Sequence, residues 1–224
     1  MNVKAILVDI DNTLLDFNAS AKKAMSDAYA EFGIPRPADF FETFKRINDG
    51  LWLKIEAGEL TRAGLHEVRW KLIFDELKID FDGRKFEKKF LSNLFDCAVP
   101  VEGAAEIMRY LSAKYPVYTA SNAFYEQQLN RLAISGLAPF IKENFVSEKI
   151  GHSKPSARFF DECFKSIPYA PKDTVMIGDS LSADIEGGKN YGLVTCWYNP
   201  AGMRIAAPKA DYVIYKLSDL KNIL

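Results

Sequence analysis

Asp9 and Asp11 stand two residues apart where an apolar run gives out, in Ile6-Leu7-Val8-Asp9-Ile10-Asp11-Asn12-Thr13-Leu14. Carboxylates at the carboxyl end of a buried strand lie where open α/β sheets bind their ligands. Three further polar clusters follow short apolar runs in the same way. Val117-Tyr118-Thr119-Ala120 leads into Ser121-Asn122, and Phe145-Val146-Ser147 is followed by Gly151-His152-Ser153-Lys154-Pro155. Val175-Met176-Ile177 ends in Gly178-Asp179-Ser180, with Asp184 five residues beyond Asp179. Strands of one polarity would bring all four clusters to a single sheet edge.

Together these residues supply carboxylates, a hydroxyl, an ammonium group and backbone amides at turns. Oxygen-only ligands favour a hard cation such as Mg²⁺, which binds through one or two carboxylates together with substrate phosphate. Ser121, Asn122 and Lys154 offer donors and positive charge to a phosphoryl group. A phosphate monoester is nearly dianionic, so it repels an attacking carboxylate until a metal ion and a lysine neutralise the group being transferred. With that neutralisation Asp9 is a usable nucleophile, and its attack gives an aspartyl-phosphate that splits one hard hydrolysis into two easier steps. Asp11 can protonate the leaving alkoxide and then take a proton from the attacking water.

The elements that must hold these groups are legible as apolar runs over residues 4–10, 117–120, 144–147, 174–177, 193–197 and 211–214. Continuous rather than alternating runs suit parallel strands covered on both faces. Helical spacing lies between the later ones, as in Ala104, Ile107, Met108 and Leu111, so the chain reads as βαβ units in a Rossmann-like α/β fold with a mostly parallel sheet. Between the first two strands the pattern is helical throughout. Ala21, Ala24, Met25, Ala28 and Phe32 form one stripe, and Phe40, Phe44, Ile47 and Leu51 a second. Leu65, Val68 and Leu72 form a third and Phe86, Phe90 and Leu94 a fourth, separated by Gly33-Ile34-Pro35, Ala57-Gly58 and Asp82-Gly83. The expected division is therefore a core of residues 1–16 and 99–224 and an inserted helical module of residues 17–98, attached just after Asp11 and suited to act as a lid.

Composition narrows the classes further. The 224 residues are 48% hydrophobic and 26% charged, ordinary for a globular protein. A formal net charge of -1 gives no electrostatic case for a nucleic-acid polymer or a membrane surface as partner. Cys97, Cys163 and Cys196 are widely spaced, without a Cys-x-x-Cys pair, which argues against a disulfide framework or a zinc site. The first residues lack the character of a secretory leader, and no stretch approaches the roughly 18 to 20 apolar residues of a bilayer span. A reduced, cytoplasmic setting is the expectation.

The sequence resembles the haloacid dehalogenase (HAD) superfamily of phosphohydrolases. The resemblance rests on Asp9-x-Asp11-x-Thr13, Ser121-Asn122, Lys154-Pro155 and Gly178-Asp179 with Asp184, in that order over nearly the whole chain. It implies Asp9 as nucleophile, Asp11 as general acid and base, and Ser121 and Lys154 as phosphoryl ligands. It further implies Mg²⁺ held by Asp9, the Asp11 backbone carbonyl and Asp179, with Asp184 just behind. The helical insertion is similar to the family's C1-type cap, and roughly Thr13 to Asn18 would form the squiggle and flap that couple the cap to catalysis. Leu51-Trp52, Glu56-Ala57-Gly58-Glu59-Leu60-Thr61, Ser182 to Gly188 and Thr195 to Pro200 are similar to the HAD-type 5'-nucleotidases acting on noncanonical pyrimidine nucleotides.

Alternatives of the same fold are a sugar-phosphate phosphatase and a phosphomutase; a dehalogenase is disfavoured, since it needs no metal to neutralise phosphate. A different class is a phosphate-ligand binding protein without turnover. Trp52, Trp70 and Phe44 could stack on a nucleobase, but aromatic residues at helical spacing more often form core. His66 and His152 read as exposed or locally hydrogen-bonded, and Cys196 beside Trp197 as packing.

Overall fold

The computed structural model describes residues 2–205 and 209–224. Its chain divides into two compact units, one of Met1–Asp16 with Ala98–Leu224 and one of Phe17–Cys97.

The first unit is built on six strands: β1 (Ala5–Val8), β2 (Val117–Ser121), β3 (Glu143–Val146), β4 (Thr174–Gly178), β5 (Val194–Tyr198) and β6 (Tyr212–Ile214). They pair in the order β3-β2-β1-β4-β5-β6, and every pairing is parallel. This doubly wound order reverses direction between β1 and β4, and ligands of such sheets bind at that switch point. The pleat explains the continuous apolar runs. Ile6, Val8, Val117, Val175 and Ile177 enter one core cluster while Ala5, Leu7, Tyr118, Ala120 and Met176 enter another, so both faces of the sheet are covered. Five α-helices connect the later strands. In chain order they follow the insertion: α5 (Ala104–Ser112), α6 (Tyr125–Ile134), α7 (Ser147–Ile150), α8 (Ala157–Ser166) and α9 (Gly187–Tyr191), the last entered through a π-helical turn, Leu181–Glu186.

The chain leaves and re-enters this unit through a small paired segment. Ile10 carbonyl oxygen accepts from both Leu14 N and Leu15 N, closing a wide turn that starts three residues ahead of the expected Thr13. Asp16 N donates to the Val99 carbonyl and Val101 N to that of Leu14, with Leu15 bridged to Pro100.

The second unit consists of α1 (Phe17–Glu31), α2 (Phe40–Glu56), α3 (Arg62–Leu77) and α4 (Gly83–Phe95). Thr61 caps α3 by accepting from Gly64 N, and Asp82 caps α4 by accepting from Arg84 N and Lys85 N. Asp82-Gly83 thus starts a helix, while α3 is ended by Lys78 in a left-handed conformation. Phe44, Trp70, Phe74, Phe86 and Phe90 form its core. The third stripe differs from expectation. Leu72 is exposed and Val68 half-buried, whereas the buried line of α3 is Leu65, Arg69, Trp70, Ile73 and Phe74. Arg69 occupies a core position because Glu87 and Asn48 satisfy its guanidinium, at 2.5 Å from Nη2 and 2.8 Å from Nη1. Among the described residues no helix is long and apolar enough to cross a membrane.

Candidate active site

Each strand around the switch point delivers one member of the site. Asp9 follows β1, and its backbone N donates to the Ile177 carbonyl of β4 at 2.8 Å, so the carboxylate leaves the sheet where the two strands end together. Ser121 closes β2, and Asp179 follows β4. Asp184 is carried by the π-helical turn, which Ser180 caps from just before its start by accepting from Ala183 N through Oγ. π-type turns are rare and concentrate at functional sites.

Lys154 is the hub. Its side chain is 2% exposed, and Nζ donates to Asp9 Oδ1 at 2.7 Å, Asp184 Oδ1 at 2.6 Å and the Ala120 carbonyl at 2.6 Å. Three donors meet three acceptors, the full capacity of an ammonium group. Burial disfavours its charge, but Asp184 and Asp9 outweigh that and hold the ammonium above its usual range. Asp184 is fixed from its other oxygen by Ser180 N at 3.1 Å.

Oxygens of Asp9, Asp179 and Asp184 all lie within 4.8 Å of one another. Burial chiefly pushes the Asp9 carboxyl up to about 7, opposed by Lys154 and reinforced by Asp184. Asp179 is likewise raised well above the carboxylate range by burial and then by Asp9 and Asp184. A buried group of acids short of positive charge, with oxygen donors only, is the kind of set a hard divalent cation completes.

Asn122 is engaged within the protein. Its amide clamps the backbone of Lys154, Nδ2 donating to the carbonyl at 2.9 Å and Oδ1 accepting from N at 2.9 Å, so it fixes the loop that presents the lysine. The remaining expected residues meet at the same edge, with Asp11 on the turn after β1 and its side chain 28% exposed.

Two residues there escaped the sequence reading. Gln128 and Arg131 lie one turn apart on α6, both buried. Arg131 Nη1 donates to Asp11 Oδ1 at 2.6 Å and to Gln128 Oε1 at 3.0 Å. Gln128 Nε2 donates to Asp11 Oδ2 at 2.6 Å and to Ser121 Oγ at 2.8 Å. A Gln-x-x-Arg pair just beyond Ser121-Asn122 was the available signal, since positions three apart share a helix face. Of the other residues singled out, Trp70 and Phe44 stack on each other in the helical core with centroids 5.7 Å apart, and Trp52 is half-buried. His66 Nδ1 lies 2.6 Å from Glu87 Oε1, and Cys196 is buried.

A doubly wound sheet with an acidic cluster at its switch point and a helical unit inserted after the first strand defines a class of hydrolase. Residues 3–192 match the family described as haloacid dehalogenase-like hydrolase, and the chain belongs to it. It is 36% identical to the HAD-hydrolase YfnB of Bacillus subtilis, over 99% of this chain and 95% of that protein. It is 32% identical to the pyrimidine 5'-nucleotidase PynA of Streptococcus pneumoniae, over 100% of this chain and 98% of the relative. The crystal structure of YfnB bound to magnesium superposes with a TM-score of 0.94, covering 100% of this chain and 99% of that one.

Proposed function

We propose that the protein is an Mg²⁺-dependent phosphomonoesterase acting through an aspartyl-phosphate on Asp9, with pyrimidine nucleoside 5'-monophosphates, noncanonical ones included, as its substrate class. The observation that carries this reading is the Lys154 hub, which holds Asp9 and Asp184 at one point beside Asp179. The substrate class is supported by likeness to PynA over the full length.

The donor set fits Mg²⁺. Asp9, the Asp11 carbonyl and Asp179 would hold it with Asp184 behind, and when bound it would offset charge on the phosphoryl oxygens. The chain's own groups do the rest. Lys154 and the Ser121 hydroxyl orient the phosphoryl group; because Gln128 Nε2 donates to Ser121 Oγ, the serine's own hydrogen is left to point at a phosphoryl oxygen. An Asp9 oxygen then bonds to phosphorus as the ester P–O bond breaks, and Asp11 gives the leaving alkoxide its proton. Water attacks the same phosphorus, Asp11 accepts its proton, and phosphate departs with the Asp9 carboxylate restored. In the same reading the helical unit is a C1-type cap. Phosphate release from nucleoside 5'-monophosphates, sugar phosphates and p-nitrophenyl phosphate tests this. Asp9→Asn and excess EDTA should each abolish release, and full activity in either would overturn the reading.

A further inference from the structure

We propose that Arg131 and Gln128 are positioning residues for Asp11, a two-point grip that sets one carboxylate orientation for proton transfer and ties it to Ser121. The inference rests on the proton-moving role given to Asp11 above.

The grip is specific in its atoms. Arg131 takes Oδ1 and Gln128 takes Oδ2, each at 2.6 Å, so the carboxylate plane is defined and neither rotation nor a rotamer change is free. The Gln128 amide orientation follows from its neighbours: a guanidinium can only donate, so it faces Oε1, leaving Nε2 for Asp11 and Ser121. A carboxylate offers about four lone-pair sites, so the grip leaves one on each oxygen for a proton moving to or from the ester. Asp11 remains 28% exposed at the side chain, whereas Arg131 is 1% exposed. Burying a guanidinium is costly unless it is paired, and the pairing found through Nη1 is with the loop carrying Asp11 rather than with α6 alone.

A merely structural ion pair between α6 and that loop would act on all substrates alike. Positioning of a proton donor would not. p-Nitrophenolate leaves without help, whereas phenolate from phenyl phosphate gains much from protonation. The test is kcat/KM, which reports the first irreversible step, for both esters with Mg²⁺ present. Arg131→Met should lower it about 30-fold or more for phenyl phosphate and less than about threefold for p-nitrophenyl phosphate, within the usual range for losing acid–base assistance. Arg131→Lys should recover part of the phenyl phosphate rate. Gln128→Met, which keeps the Arg131–Asp11 pair and should fold even if Arg131→Met does not, should show the same selectivity at smaller size, on top of a loss common to both esters from the released Ser121 hydroxyl. Asp11→Asn is the reference. If it is selective while the Arg131 and Gln128 variants lower both esters equally or neither, positioning is overturned and the mechanism stands. If Asp11→Asn is itself unselective, the proton role of Asp11 fails and the positioning proposal with it.

Discussion

Replacing Gly178 with alanine is expected to disable the site from inside the sheet. Gly178 ends β4, and a Cβ placed there would lie 2.1 Å from Asp184 Oδ2, 2.3 Å from its Cγ and 2.6 Å from its Cβ. Ordinary contact begins at 3.4 Å, so the carboxylate must retreat by about 1 Å. It has no slack. Asp184 is 1% exposed, with one oxygen on Lys154 Nζ at 2.6 Å and the other on Ser180 N at 3.1 Å. Overpacking of this kind costs about 1–3 kcal/mol, and a lost hydrogen bond between charged groups about 1.5–3 kcal/mol more. A total of about 2.5–6 kcal/mol corresponds to a Tm lowered by at least about 5 °C for a chain of this size. Lys154 loses one of three anchors, and a misplacement of about 1 Å is enough to cost roughly 100-fold in kcat. Thermal melts and p-nitrophenyl phosphate turnover measure the two effects. Gly50→Ala is the control: Gly50 lies inside α2 with no heavy atom within 4 Å of the added Cβ, so it should stabilise by about 0.5–1 kcal/mol. A Gly178→Ala protein that melts like wild type and keeps its kcat would refute the claim that Asp184 is locked against β4.

The remaining expectations concern the thiols and one surface clasp. Burial pushes the Cys196 thiol up to about 12 and that of Cys163 higher still, so neither should react with a disulfide reagent in the native protein at about pH 8, and both should do so in denaturant; rapid native labelling of either would contradict their packing. Burial alone would raise the Asp211 carboxyl, but the bonds it accepts from Lys189, from Thr195 N at 2.9 Å and from Thr195 Oγ1 at 3.1 Å together outweigh that and lower it below the usual carboxylate range. A depressed folded-state value stabilises above the unfolded one and is lost as the carboxyl protonates. Asp211 is exposed, so solvent screens the clasp and Asp211→Asn should cost about 0.5–1 kcal/mol near neutral pH in urea melts, with a deficit that shrinks as pH falls below about 4; a pH-independent deficit would rule this out.

The sequence exposes those parts of the site that sit where a periodic pattern breaks. Asp9, Ser121 and Asp179 interrupt or end continuous apolar runs, and such runs are visible because both faces of β1, β2 and β4 are buried. Arg131 was hidden for the opposite reason. Its partner Asp11 lies 120 residues away, so its burial leaves no trace in the local pattern of α6. Arg69 was missed likewise, its partner Glu87 being 18 residues on, and the apolar stripe drawn through α3 ran instead to exposed Leu72. The clamp that the Asn122 amide forms on the Lys154 backbone, 32 residues on, leaves no trace in the local sequence either.

What aligns these groups is strand register, and register is set by the hydrophobic core. Val8 of β1 stands opposite Thr119 of β2 and Ile177 of β4, so the three strands end within two residues of one another. A slip of one residue would turn Val8 and Ile6 to the other face of the sheet and Asp9 with them, since side chains alternate strictly. Because both faces of β1 are buried, it would also force Ile6 and Val8 into the space shaped for Ala5 and Leu7 and the reverse, a misfit of the overpacking kind that costs about 1–3 kcal/mol. Burial first, and the neighbouring carboxylates after it, disfavour the charges of Asp9 and Asp179, so the cluster could not enforce that alignment itself. Apolar packing on the two faces of β1 therefore does the placing, and Lys154 makes the placed charges tolerable.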